Sequence, residues 1–157
     1  MKRFEKILAQ DVMTKEVLTI HQKASLSQFI DHLIDKHING IPVVNDDDKL
    51  VGIATKNDLL VYELTRELHS LYSENIHDLF KDITKFDNII KKDGATIFVE
   101  DIMVSEVITV DPDTSIQAVC TIMKNKKLNH IIVIDEGAIV GIITSRDIIH
   151  LLSETVD

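Results

Sequence analysis

The chain is written twice. VGIATKND (Val51 to Asp58) has a near copy in VGIITSRD (Val140 to Asp147), and the match extends upstream of both. Asp11, Val12 and Met13 fall on Asp101, Ile102 and Met103, and Glu16 to Thr19 on Glu106 to Thr109. Ser25 falls on Ser115, Lys36 on Lys126, Asn39 on Asn129, Ile41 on Ile131 and Val43 on Val133. The offset is 90 residues up to the acidic run Asp46-Asp47-Asp48 and 89 after it. The one lost residue therefore sits in a charged turn, where changes of length are tolerated. A repeat of this kind requires that one supersecondary unit explain both halves.

Each copy reads as β-α-β-β-α. Val17–Ile20 and Val107–Val110 are short β-branched runs, hence strands. Ser25 and Ser115 are N-caps for helices in which Leu26, Phe29, Ile30 and Leu33, or Ile116, Val119, Cys120 and Met123, recur at helical spacing. Ile41–Val44 and Ile131–Ile134 are apolar enough for buried strands. After the acidic turn, Leu50–Ala54 and Ile139–Ile143 are third strands, predicted to form antiparallel hairpins with the second. Closing helices run from Lys56 to about Leu68 and from Ser145 to about Leu152.

The stretch between the copies belongs to neither. Ser70–Lys92 is rich in charge but carries Leu71, Ile76, Leu79, Phe80, Ile83, Phe86, Ile89 and Ile90. This spacing suits one or two amphipathic helices, ended by the turn signal Lys91 to Gly94, and is too apolar for a disordered linker. The predicted organisation is repeat 1 over residues 8–68, a helical insert over 69–97 and repeat 2 over 98–153.

Charge narrows the function. Seventeen basic residues against 26 acidic ones give a net charge of -9, which argues against nonspecific nucleic-acid binding. Aromatics are only 4% of residues, too few for a base-stacking platform. The single Cys120 allows no internal disulfide, no apolar run reaches membrane-spanning length and the first residues lack a signal-peptide core. A cytoplasmic protein, away from membranes, is the expectation. His32 and His37, or His69 and His77, lack the spacing of a helical metal site, so no metal is expected. Met13 and Met103 read as packing residues, Cys120 as a core residue and Asp46 to Asp48 as a solvated turn.

The repeated Thr-x-x-Asp endings admit two roles. Thr144 with Asp147, and Thr55 with Asp58, have the spacing of a capping box. The same geometry suits a nucleotide: a helix N-terminus attracts phosphate, Arg146 adds a fork for its oxygens, and an aspartate accepts from two adjacent hydroxyls, as a ribose offers. The preceding glycine would permit close backbone approach.

With its DVM and DIM leaders, IPVV and IIVI strands and paired VGI(A/I)TxxD endings, the chain resembles a tandem pair of CBS domains, the Bateman module. The resemblance implies an α/β (α+β) fold of two β-α-β-β-α repeats packed as a pseudo-two-fold pair. It implies homodimers, and an adenosyl ligand such as AMP, ADP or ATP held in clefts between the repeats, in order to regulate another protein. It places the ribose on Thr144 and Asp147, with Val17, Ile38 and Asn39 around the base. In the other cleft it places the ribose on Thr55 and Asp58, with Val107, Leu128 and Asn129. It puts His130 near phosphate, where the first repeat has the uncharged Gly40. Arg146 stands where the first repeat has Asn57, so the Thr144–Arg146–Asp147 cleft is expected to bind more tightly.

Three functions compete at this point: a nucleotide sensor, a ligand-free dimerisation scaffold, and an enzyme such as a nucleotide hydrolase. S-adenosylmethionine is the alternative ligand. No activated nucleophile, paired catalytic carboxylates, GxxxxGK(S/T) or GxGxxG is present, so neither catalysis nor a catalytic cofactor is expected.

Overall fold

The computed structural model describes residues 6–71 and 96–154. A one-turn helix α1 (Ala9–Val12) leads into β1 (Ile20–His21), α2 (Leu26–Asp35), β2 (Gly40–Val44), β3 (Leu50–Thr55) and α3 (Lys56–Leu71). A 3-10 turn (Val99–Asp101) leads into β4 (Thr109–Val110), α4 (Ile116–Lys126), β5 (His130–Asp135), β6 (Ala138–Thr144) and α5 (Ser145–Glu154). The β-α-β-β-α order appears in both copies, as two three-stranded sheets ordered β1-β2-β3 and β4-β5-β6. The helices expected over Ser70–Lys92 lie, beyond Leu71, outside the described residues.

The first strands are shorter than their β-branched runs suggest. β1 pairs parallel to β2 only at Ile20–Val43 and His21–Val44. β4 pairs parallel to β5 at Thr109–Ile132 and Val110–Val133. The Thr109–Ile132 rung has no counterpart in the first repeat, where Pro42 stands in place of Ile132 and has no N–H to offer a ladder. β5 and β6 are antiparallel, from His130–Thr144 to Asp135–Ala138, with an irregularity between Val133 and Ile134. Glu136 and Gly137 turn this hairpin at φ 47° and 84°, the positive-φ pair that matches the strands' right-handed twist.

Both predicted serine caps form. Ser25 Oγ accepts from Gln28 N (3.3 Å) while Gln28 Oε1 accepts from Ser25 N (2.9 Å). Ser115 Oγ accepts from Ala118 N (3.3 Å). These caps sit where the leaders dock, and each leader docks on the other repeat. Ile116 N donates to Ile7 O and Ala9 N to Thr114 O, both at 2.8 Å. In the mirror arrangement Leu26 N donates to Ile97 O and Val99 N to Ala24 O, both at 2.9 Å. Further along, Thr14 exchanges backbone hydrogen bonds with Ile142, and Val104 with Ile53.

Leader exchange shapes the two compact units of the chain. One holds the chain up to Leu18, Asp46–Leu50 and everything from Glu106 onward; the other holds Thr19–Asn45 and Val51–Ser105. In the first, Ala9 of the leader is fully buried with Val110, Ile116, Val119, Met123, Ile131, Val133 and Ile143. In the second, Val99 and Ile102 are buried like Leu26, Phe29, Leu33, Ile41 and Val43. Burying such side chains contributes about 1.5–3 kcal/mol each, so each leader supplies core to the repeat that it does not precede in sequence. No described polar or charged residue is buried.

Candidate functional site

The two Thr-x-x-Asp corners stand where the last strand of each repeat becomes a helix. Thr144 closes β6 and Ser145 opens α5; Thr55 closes β3 and Lys56 opens α3. Asp147 Oδ2 accepts from Thr144 N at 2.7 Å and from Thr144 Oγ1 at 2.6 Å. Asp58 Oδ2 accepts from Thr55 N at 2.8 Å and from Thr55 Oγ1 at 2.5 Å. In return the threonine hydroxyl accepts weakly from the aspartate N–H, at 3.4 Å and 3.3 Å. Both carboxylates are half-buried. The capping box is thus present in both copies.

The box consumes one oxygen of each aspartate. Oδ1 of Asp58 and of Asp147 has no hydrogen-bond partner among the described residues. A carboxylate has roughly four lone-pair sites, so a capping aspartate still has acceptors for a pair of hydroxyls. Capping therefore leaves the second oxygen of each carboxylate free to accept from another group.

The helix N-termini are less open to anions than their position suggests. Ser145 N donates to Asn129 O (3.0 Å), and Ser145 Oγ reaches the same carbonyl at 3.3 Å. Lys56 N donates to Asn39 O (2.9 Å). With the Thr and Asp amides engaged as well, most first-turn donors are occupied. Attraction for phosphate then falls on side chains. Arg146 is exposed and has no ion pair among the described residues, whereas its counterpart Asn57 is uncharged. His130 is half-buried and pairs across the hairpin with Thr144. Its counterpart Gly40 has no room for a side chain: a Cβ there would lie 2.9 Å from Thr55 Cγ2 and 3.2 Å from Ala54 O.

The glycines before the corners serve a purpose other than the one expected. A Cβ on Gly52 would fall 2.5 Å from Met103 Sδ, and one on Gly141 would overlap the Met13 side chain. The close approach that these glycines permit is to a leader methionine, not to a ligand. The leaders carry caps of their own: Asp11 Oδ2 accepts from Leu8 N (2.9 Å) and Asp101 Oδ2 from Phe98 N (2.8 Å). Asp11 and Asp101 were visible as part of the repeat, but their spacing to Leu8 and Phe98, residues that cannot themselves cap, gave no signal.

The predicted residues divide between the units. Thr144, Arg146, Asp147, Val17, His130, Leu128, Asn129 and Val107 belong to one; Thr55, Asp58, Ile38 and Asn39 belong to the other. The Thr14–Ile142 bridge ties the chain just before Val17 to the strand that ends at Thr144. Val17, Val107, Ile38 and Leu128 are half-buried, while Asn39 and Asn129 are exposed and turn their carbonyls to the corner helices. Among the described residues no group of three His, Cys, Asp or Glu could hold a metal, and no helix is long and apolar enough to cross a membrane.

The family model for the CBS domain matches residues 9–64 and 99–154, and the chain belongs to this family. The uncharacterized protein MJ1232 of Methanocaldococcus jannaschii is 33% identical over 144 residues, covering 91% of this chain. The chain spans only 38% of that relative's length. Among solved structures, the CBS domain pair of protein MJ0100, in complex with 5'-methylthioadenosine and S-adenosyl-L-methionine, superposes with a TM-score of 0.67 at 27% identity. That match covers 94% of this chain and 96% of the other. CBSX2 in complex with AMP has the same fold, with a TM-score of 0.70, 22% identity and coverage of 94% and 97%. The mixed α and β architecture with two small sheets is that of CBS pairs.

Proposed function

We propose that the protein is a non-catalytic regulatory module that binds an adenine nucleotide of the AMP, ADP or ATP class through its two Thr–Asp corners. The observation that carries this reading is the spare Oδ1 on Asp58 and Asp147, each held in place by a threonine that binds the other oxygen. A fixed carboxylate with free lone pairs suits the two hydroxyls of a ribose. At the second corner Thr144 and Asp147 take the sugar while Arg146 and His130 take phosphate. At the first, Thr55 and Asp58 take the sugar without a cationic neighbour at the Arg146 or His130 position. Val17, Ile38, Asn39, Val107, Leu128 and Asn129 serve the base. The adenosine-containing ligands of the structural relatives support this ligand class.

The second corner binds more tightly, because an Arg–phosphate contact contributes about 1.5–3 kcal/mol, which is roughly tenfold or more in affinity. Ligand binding acts on a regulated protein by favouring one arrangement of the module over another, in the cytoplasm. The module works as a homodimer: Ile34, Leu60, Leu64 and Ile149 are exposed apolar side chains on three of its helices. S-adenosylmethionine is the second reading, favoured by its presence in the MJ0100 complex. A thermal-shift panel of AMP, ADP, ATP, S-adenosylmethionine and guanosine nucleotides, run also on Asp58→Ala and Asp147→Ala, tests the proposal. Ligand at about 100 times its dissociation constant adds about 2.7 kcal/mol. No shift with any adenosyl compound would leave a ligand-free scaffold as the function.

A further inference from the structure

Both leader methionines rest on a strand glycine, with the thioether sulfur at the point of contact. A Cβ on Gly52 would lie 2.5 Å from Met103 Sδ and 3.0 Å from its Cγ. A Cβ on Gly141 would lie 2.6 Å from Met13 Cγ and would overlap Met13 Sδ. Each sulfur therefore fills the volume in which another residue of the strand would carry its side chain. The next residue ties the leader to that strand. Thr14 N donates to Ile142 O at 2.9 Å and Ile142 N to Thr14 O at 3.0 Å. Val104 N donates to Ile53 O at 2.9 Å and Ile53 N to Val104 O at 3.0 Å. Both are isolated bridges, and from them onward the chain is exposed, over Thr14 to Glu16 and Val104 to Glu106. Met13 and Met103 are half-buried, whereas Met123 is 6% exposed within the core.

We propose that Met13 and Met103 are sites of reversible oxidation by hydrogen peroxide, and that oxidation releases each leader from the strand it covers. A sulfur lone pair attacks one peroxide oxygen and the O–O bond breaks. That oxygen stays on sulfur as a sulfoxide; its proton passes to the departing hydroxide, which leaves as water. The thioether gives up two electrons and the peroxide takes them. The product is larger and polar at the very atom that meets Gly52 or Gly141. Its oxygen has either glycine backbone to meet or an apolar seat, where a polar group without a partner is costly. Release is local, because the upstream anchors Ala9 and Val99 are fully buried and carry no sulfur. The freed chain runs on to Val17 and to Val107, which serve the base in the reading above. The oxidation proposal stands without that reading, and its test uses no nucleotide.

The wild-type chain carries its own control in Met123. After treatment with hydrogen peroxide, peptide mass spectrometry is expected to find one added oxygen on Met13 and on Met103 well before any on Met123. Amide hydrogen exchange at Thr14, Ile142, Val104 and Ile53 should then speed up by about tenfold or more, and methionine sulfoxide reductase with a thiol reductant should restore it. Met13→Leu keeps the volume and removes the sulfur, so in that protein peroxide should loosen only the Val104–Ile53 bridge; Met103→Leu should spare that bridge and leave Thr14–Ile142 sensitive. Oxidation of Met13 and Met103 no faster than of Met123 overturns the proposal. So does complete oxidation that leaves the four amides unchanged. Faster exchange that persists in the Met13→Leu, Met103→Leu double variant also overturns it, because another group such as Cys120 would then be the one oxidised.

Discussion

The Met13 side chain fills the space above Gly141, although 128 positions separate them in sequence (141 − 13). Met103 does the same above Gly52. Each thioether comes from the leader of one repeat and covers the third strand of the other. Flexible methionine suits an irregular gap of this kind. Gly141→Ala places a methyl group inside the Met13 side chain and should destabilise the protein by about 1–3 kcal/mol. Adding Met13→Ala should recover part of that loss, because the methyl then enters vacated space. Chemical denaturation of the two single variants and the double variant measures the coupling; additive losses would mean that the two residues do not share the site.

If the proposed site is right, Asp147 serves stability through Oδ2 and binding through Oδ1. Asp147→Ala removes the cap and the ribose acceptor together, so about 0.5–2 kcal/mol of stability is lost along with ligand binding. Asp147→Asn keeps a carbonyl oxygen to accept from Thr144 N and Oγ1, and replaces the free oxygen with an NH2 donor. The melting temperature of the empty protein should stay near wild type, while the AMP-dependent shift falls sharply. Equal AMP shifts in wild type and Asp147→Asn would show that the free oxygen does not meet the ligand.

The difference between Arg146 and Asn57 is transferable. Asn57→Arg should raise nucleotide affinity at the first corner, and Arg146→Asn should lower it at the second by about tenfold or more. Calorimetric titration of the two variants reads both changes. Asn57→Arg is expected to give less than the full gain, because Gly40 supplies no counterpart to His130.

Glu136 occupies a positive-φ position of the β5–β6 turn, at φ 47°, where a side chain other than that of Asn, Asp or Gly is strained. Glu136→Asn should raise stability by about 0.5–1 kcal/mol without changing nucleotide binding. Gly137→Ala, at φ 84°, should lower it by about 1 kcal/mol or more. Thermal melts of the empty proteins decide both.

Burial pushes the Cys120 thiol up, against a smaller opposing contribution from a backbone hydrogen bond. Because the folded state disfavours the thiolate, the contribution of this group to stability is full below the ordinary thiol range and declines as the pH rises through the raised value. Alkylation by iodoacetamide should be slower than for an unfolded control at neutral pH, and should catch up only under alkaline conditions. Alkylation at the rate of the unfolded control throughout would show that the thiol is not shielded.

The sequence by itself determined the local features. Strand and helix periodicities, the serine caps at Ser25 and Ser115 and the Thr-x-x-Asp boxes all depend on residues no more than four apart, and such interactions are nearly independent of distant context. The repeat extended that legibility, because each local reading was made twice. Only the tertiary structure decided which leader lies on which repeat. Backbone bonds such as Ile116 to Ile7 and Leu26 to Ile97 can be made by any residue, so they leave no mark in composition. Gly52 and Gly141 illustrate the limit: the sequence showed only that a close approach was permitted there, and packing placed a methionine in that space. The inequality of the two corners was legible in Arg146 against Asn57 and His130 against Gly40, but only packing decided that the methyl of Thr55 fills the space a side chain at position 40 would need.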